Sequence, residues 1–345
     1  MKKEEKDEYN KTYGIFKFKL PLPTEIIKAI GLEGESVLYK KMIMGDYERF
    51  YDIIKIPEEG DWLMIHKEYG QTYNEYINNN CIQVDQNHDV IYIAPLSFSA
   101  NEIMDQNFIT NVFLLCEAFF FGMKIRLIEI SSNFNGVDVK TDDDKKMQIN
   151  GEQLMDILSN ELPNDAFCLI GLIDTDLYIE SINKNGKNIF KPTFDSKNIS
   201  KRTSIFSFAR YDPLFSKNKK DISKNQKMKI YILILKRVCK AILKEICFMF
   251  GMKNCVFFSC LMNGNASLNE FDNKPIELCP ICLRKLITNI NCKGRDIKSS
   301  RMKNPTVVYD RVVKLRDTLH ENFYDIFENE VNWFNARIEY LKNEM

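Results

Sequence analysis

Histidine is scarce. The 345-residue chain has three, His66, His88 and His320, and no two stand at a spacing that lets them share a metal. Net charge is missing too: 48 Lys and Arg balance 48 Asp and Glu. Wholesale nucleic-acid binding needs a net basic face and is disfavoured, although a local basic patch is compatible with the balance. No apolar run reaches membrane length; the most apolar, Val112 to Met123, is short and holds Glu117. The start of the chain alternates Lys and Glu without an apolar core, so no secretory signal is expected. A cytoplasmic or nuclear, non-secreted setting follows, in which the ten cysteines are thiols or metal ligands rather than disulfides.

Against these absences stands an ordinary globular balance, 45% hydrophobic and 28% charged, enough for a large core. Residues 1–12 read as disordered, and 13–60 as an N-terminal helical extension. There Thr24 is expected to cap a helix from Glu25, with Ile26, Ile27 and Ile30 on one side and Gly31 as its stop. Strands are predicted at 90–94, ending at Pro95, and at 124–130, 166–174 and 204–209. Helices are predicted at 108–121 and around 154–158, so the class is α/β in layers. The Lys/Asn-rich stretches 181–201 and 216–228 read as surface loops. A long helix over about 228–250 is closed by Gly251. In the C-terminal helical segment 301–345, Thr306 is the expected cap. Apolar residues from Val308 to Leu341 step by threes and fours, as one helix or two packed ones. Core packing is the first reading of that stripe, and a partner-binding face the second.

Cys255, Cys260, Cys279 and Cys282 follow the spacing C-x4-C-x18-C-x2-C. Two close pairs of thiolates joined by a loop suit one structural Zn2+. A RING-type domain needs four more ligands, and only Cys292 and His320 follow. The isolated cysteines within apolar runs read as core residues.

Just before the first pair runs Lys244-Glu245-Ile246-Cys247-Phe248-Met249-Phe250-Gly251-Met252-Lys253-Asn254-Cys255. A metzincin protease would read H-E-x-x-H-x-x-G-x-x-H here. Glu245 and Gly251 fit; Lys244, Phe248 and Asn254 stand where that pattern has histidine. Joined to the cysteine set, with Met262 just after the second cysteine, the region resembles the archaemetzincin family of zinc metallopeptidases. The likeness extends to Glu161 to Cys168, Asp176-Leu177-Tyr178 and Ile205 to Tyr211, and more weakly to Asp61-Trp62 and Phe119 to Lys124. It covers roughly 60–290, within a domain placed at 61–300. The resemblance implies a zincin-like α/β (α+β) fold: a twisted mixed sheet, a central active-site-type helix, a four-cysteine zinc subdomain and a C-terminal helix. In active members three histidines hold the catalytic zinc, the glutamate is general base, the methionine lies beneath the metal, and the cysteine zinc is structural.

Residues i and i+4 share a helix face, so two histidines there could reach one metal. Phe248 has no lone pair, a protonated Lys244 repels a cation, and Asn254 is a weak donor. One structural zinc is therefore expected and a catalytic zinc is not, leaving Glu245 a vestigial base. Lys244 is expected to place its ammonium near the vacated cation site and to pair with Glu245 or another carboxylate, so that Lys244→Met lowers stability. The expected function is a catalytically inactive metallopeptidase homologue that binds peptide or protein. An edge strand at Ile205 to Ala209, with Phe206 and Phe208, would receive an extended segment. One alternative is an active peptidase with atypical ligands and Glu245 as base. Another is a zinc-stabilised scaffold that binds nucleic acid or protein through the Lys/Asn loops or the C-terminal helix.

Overall fold

The computed structural model describes residues 18–98, 103–130, 134, 136–142, 146–182, 188–193, 195–215, 223–295, 297 and 304–345; for 181–182 and 188–193 the backbone alone is described. Segment 1–12, read as disordered, lies outside these residues, as does most of 216–228. The strands are β1 (Val90–Leu96), β2 (Lys124–Leu127), β3 (Val139–Thr141), β4 (Met147–Asn150), β5 (Ala166–Ile173), β6 (Asp176–Ile182), β7 (Asn188–Thr193), β8 (Asp195–Asn198) and β9 (Thr203–Ser207). They form two sheets, ordered β2-β1-β5-β9-β8 and β3-β4-β6-β7. In the first, β2, β1, β5 and β9 are parallel and β8 is antiparallel.

Parallel strands are covered on both faces and read as continuous apolar runs. Every residue of β5 and β9 is buried. Alternate side chains divide between two cores. Ile91, Ile93, Phe167, Ile170, Leu172 and Phe206 face the central helix (Lys224–Met249). Val90, Tyr92, Leu169, Ile173 and Ile205 face Leu154 and Leu158 of the helix Gly151–Asn160.

Three expectations change here. First, β1 continues through Pro95, which pairs with Leu172. The register with β2 ends at Ile93, two residues before Pro95, so the proline falls beyond that ladder. Second, the stretch 181–201 is no simple loop; it holds β7, β8 and the end of β6. Third, β8 pairs along β9, so Ile205 to Ala209 is not a free edge, and Phe206 and Phe208 are buried.

The first helix is Pro23–Ile30. The Leu22 backbone N–H donates to Glu25 Oε2 at 2.7 Å, so Leu22, not Thr24, is its cap. Gly31 (φ 68°) ends it as expected, but Ile27 is 50% exposed. The central helix opens on Ser223, whose Oγ accepts from the Gln226 N–H while Gln226 Oε1 accepts from the Ser223 N–H. It closes in a Schellman turn: Gly251 N–H donates to Phe248 O at 2.9 Å and Met252 N–H to Cys247 O at 3.3 Å. Gly251 has φ 83°, and a Cβ there would lie 1.8 Å from the Asn80 carbonyl oxygen. Gly251→Ala is therefore expected to destabilise by well over the ~1–2 kcal/mol that the left-handed conformation alone costs. Urea denaturation checks this, and a loss below that range would contradict the clash.

The C-terminal helix spans Val307–Glu344, interrupted by non-helical Phe323 (φ -141°) and Phe327 (φ -127°). Its apolar stripe, Val308 to Leu341, is buried, which settles it as core. Thr306 gives no side-chain cap. This helix packs on helices Val37–Ile43 and Gln106–Phe119. Trp333 Nε1 donates to Phe50 O at 2.8 Å, and the buried Arg337 guanidinium lies 5.1 Å from the Phe50 ring while donating to Met42 O at 2.9 Å. Among the described residues no helix is long and apolar enough to cross a membrane.

Candidate functional site

The Gly251 turn delivers Cys255 and Cys260 into a loop, while Cys279 precedes the helix Pro280–Asn291 and Cys282 lies in its first turn. All four are buried, with their sulfurs within 4.8 Å of one another. Cys255 Sγ and Cys279 Sγ are 3.7 Å apart. A tetrahedron of ~2.3 Å Zn–S bonds puts its sulfurs ~3.8 Å apart, so this set fits zinc. The backbone N–H groups of Met262 (3.5 Å) and Cys279 (3.3 Å) point at Cys260 Sγ, as a thiolate requires. Asn263 braces the loop: its Nδ2 donates to Cys255 O (2.8 Å) and Phe258 O (2.9 Å), and its Oδ1 accepts from Cys260 N–H (2.7 Å). Met262 is fully buried within this turn, and its carbonyl accepts from Cys255 N–H at 2.9 Å. The ten cysteines form no disulfide. Among the described residues the four cysteines are the one His/Cys/Asp/Glu group arranged to hold a metal.

The remaining motif residues meet in a cleft of about 480 Å³. Lys244, Glu245 and Phe248 reach it from the central helix and Asn254 from beyond the turn, facing Lys197 of β8 and Trp62. None of the histidines lines it. His66 stacks on Trp62 (ring centroids 3.7 Å apart), His88 sits 2.8 Å from Asp85, and His320 packs on Tyr324.

Glu245 pairs with Lys197, not with Lys244. Lys197 Nζ is 2.9 Å from Glu245 Oε2 and 3.0 Å from Asp195, and Ser204 Oγ donates to Glu245 Oε2 at 3.0 Å. Successive helix residues diverge by about 100°, which aims Glu245 at β8 and β9 and Lys244 elsewhere. Burial pushes the Glu245 carboxyl above the usual range, with Lys197 opposing. Burial pulls the Lys197 ammonium down, but Glu245 and Asp195 outweigh it and the net shift is upward.

Lys244 Nζ donates to Asn263 O at 2.6 Å. Burial lowers its pKa from 10.5 to about 8, with Glu245 opposing and Lys197 reinforcing the fall. The earlier stability expectation therefore reverses. The unfolded chain binds the extra proton between pH 8 and 10.5, so the charged lysine weakens the fold below that window and ceases to do so above it. Lys244→Met is expected to stabilise at pH 7 by on the order of 1–3 kcal/mol. The gain should fade across the window. Denaturant titrations at pH 7 and above pH 10 compare the two, and destabilisation at pH 7 would restore the first expectation.

Asn254 Nδ2 donates to Glu68 Oε1 at 2.8 Å, while its Oδ1 is buried without a partner. An ammonium, a phenyl ring and one amide oxygen do not make a zinc site. Lys197, Glu68, Asn263 and Lys274 escaped the sequence reading. Lys197 sits in a polar run without alternation, and the others carry no local motif.

Residues 146–288 match Peptidase family M54. Archaemetzincin-2 of Rattus norvegicus is 28% identical over 256 residues, 68% of this chain and 69% of the rat protein. Over this span the chain is similar to archaemetzincins. Human archaemetzincin-1 is 26% identical over 249 residues, 66% of this chain and 48% of its own. The crystal structure of archaemetzincin from Methanopyrus kandleri covers 59% of this chain and 97% of its own, with 20% identity and a TM-score of 0.42. The span matched by Peptidase family M54 holds Glu245 and all four cysteines, while Trp62 of the cleft lies outside it.

Proposed function

We propose that this archaemetzincin homologue binds peptide or protein segments in its cleft without hydrolysing them, and that its four cysteines hold one structural zinc. The Lys197–Glu245 pair carries this reading. A general base must be free to take a proton from water, but here Lys197 engages both carboxylate oxygens, at 2.9 and 3.1 Å, and Ser204 one of them. The residues at the histidine positions supply no Lewis acid. Water then keeps a pKa roughly eight units above that of zinc-bound water.

The binding edge in this reading is β8 rather than residues 205–209. Its far edge pairs with no other strand among the described residues, and Asp195 and Lys197 bring it to the cleft. An extended segment can add there. The test is incubation of zinc-supplied protein with a peptide mixture, read by mass spectrometry beside metal analysis. One zinc per chain and no cleavage are expected. Two zincs, with cleavage lost in Glu245→Gln, would overturn the reading.

A further inference from the structure

Three of the four lysines in and beneath the cleft form no ion pair among the described residues. Lys197 has Glu245 and Asp195. Three other lysines, Lys240, Lys244 and Lys274, are buried and donate to uncharged oxygens. Lys244 (2.6 Å) and Lys274 (3.1 Å) share the Asn263 carbonyl. Lys274 also reaches Asn265 Oδ1 at 2.7 Å, and Lys240 reaches Asp272 O at 2.8 Å and Lys274 O.

The nearby carboxylates are committed elsewhere. Asp272 pairs with Arg237 at 2.6 Å. Glu270 accepts from the Trp62 (3.1 Å) and Ala266 (2.7 Å) backbone N–H groups. Glu68 accepts from Trp62 Nε1 (2.6 Å) and Asn254 (2.8 Å).

A buried ammonium without a counterion is costly, and two on one carbonyl oxygen repel each other. Lys240 and Lys244 also lie four apart on one helix face, where like charges disfavour the helix. Of the three, Lys244 lines the cleft, while Lys240 (2% exposed) and Lys274 (5%) sit behind it. The open side of the cluster therefore faces the cavity. Trp62, Phe248 and Phe271 add apolar wall beside Lys244.

We infer that the ligand of this cleft carries a carboxylate, which docks on Lys244 with Lys274 and Lys240 behind it while its carbon chain lies against the aromatic wall. This rests on the reading of the cleft as a binding site, and names the chemistry it selects. Acidic side chains and peptide C-termini offer the same group.

Isothermal titration of the full chain tests it. N-acetylglutamate is compared with N-acetylglutamine for the side-chain source, and acetyl-dialanine with its amide for the terminal source. One acid is expected to bind about tenfold or more tighter than its amide, the scale of one charged hydrogen bond. That preference should vanish in Lys244→Met, weaken in Lys274→Met and survive in Lys244→Arg, with zinc content unchanged throughout. Equal binding of acids and amides, affinity retained in Lys244→Met, or no binding of either acid would overturn the inference. Neutral peptides that bind at β8 in the same assay would leave the proposed function standing while this inference fell. Acid binding without any peptide binding would do the reverse.

Discussion

The Cys279→Ser variant is expected to carry no zinc and to lose the fold of residues 255–291. Structural zinc contributes about 10–16 kcal/mol of apparent binding energy in small domains, as much as the whole stability of a typical domain. The loss should spread beyond the loop, because the helix that starts after Cys279 anchors other segments. Arg284 Nη1 donates to Ile30 O at 2.7 Å, and Asn289 Nδ2 donates to Tyr76 Oη at 2.8 Å and Ile82 O at 2.9 Å. Loosening this helix frees Pro23–Ile30 and the turn at 76–82 with it. Hydrogen exchange followed by peptide should show these segments opening with the cysteine loop, and chelation of the wild-type protein should reproduce the pattern. A zinc-free variant with native exchange rates would remove the metal from any structural role.

Lys197→Met is expected to destabilise by roughly 3–5 kcal/mol, the scale for a buried pair that loses one partner. Glu245 is 7% exposed and keeps only the Ser204 hydroxyl once the lysine is gone. Burial already raises its pKa, so the proton is held more tightly in the folded state than in the unfolded one. The folded variant therefore gains on acidification: its deficit is largest at pH 7 and shrinks as the pH falls through the folded pKa of Glu245. Adding Glu245→Gln should recover most of the deficit, and a double-mutant cycle measures the coupling. Two single-variant losses that simply add would show that the pair is not coupled.

Legibility followed the strength of local patterns. Strands β1 and β5 were visible because burial on both faces leaves unbroken apolar runs. The Gly251 turn was visible because left-handed backbone favours glycine. The cysteine cluster was visible because two short spacings place four thiolates together. By contrast, β8 reads Asp195-Ser196-Lys197-Asn198 and has no apolar residue. What holds it is its ladder with β9 and the reach of Lys197 to Glu245, both made across long sequence separations. The expected pairing of Lys244 with Glu245 or another carboxylate failed for the same reason, since helix geometry separates neighbours and tertiary contacts choose their partners. Leu22 caps its helix through Glu25, where the oxygen-bearing Thr24 looked the better choice.

The hydrogen bond from Trp333 to Phe50 joins residues 283 apart in the chain. During synthesis helices Pro23–Ile30 and Val37–Ile43 leave the ribosome long before the helices they pack against, Pro280–Asn291 for the first and Val307–Glu344 for the second. Their apolar faces, Ile26, Ile30, Met42 and Ile43 among them, must then wait in water or on a chaperone. Closing so long a loop late is slow, because its entropy is lost before the contacts that reward it form. Translation stalled before Trp333 should therefore yield nascent chains that are protease-sensitive at their early helices, whatever the state of the sheet.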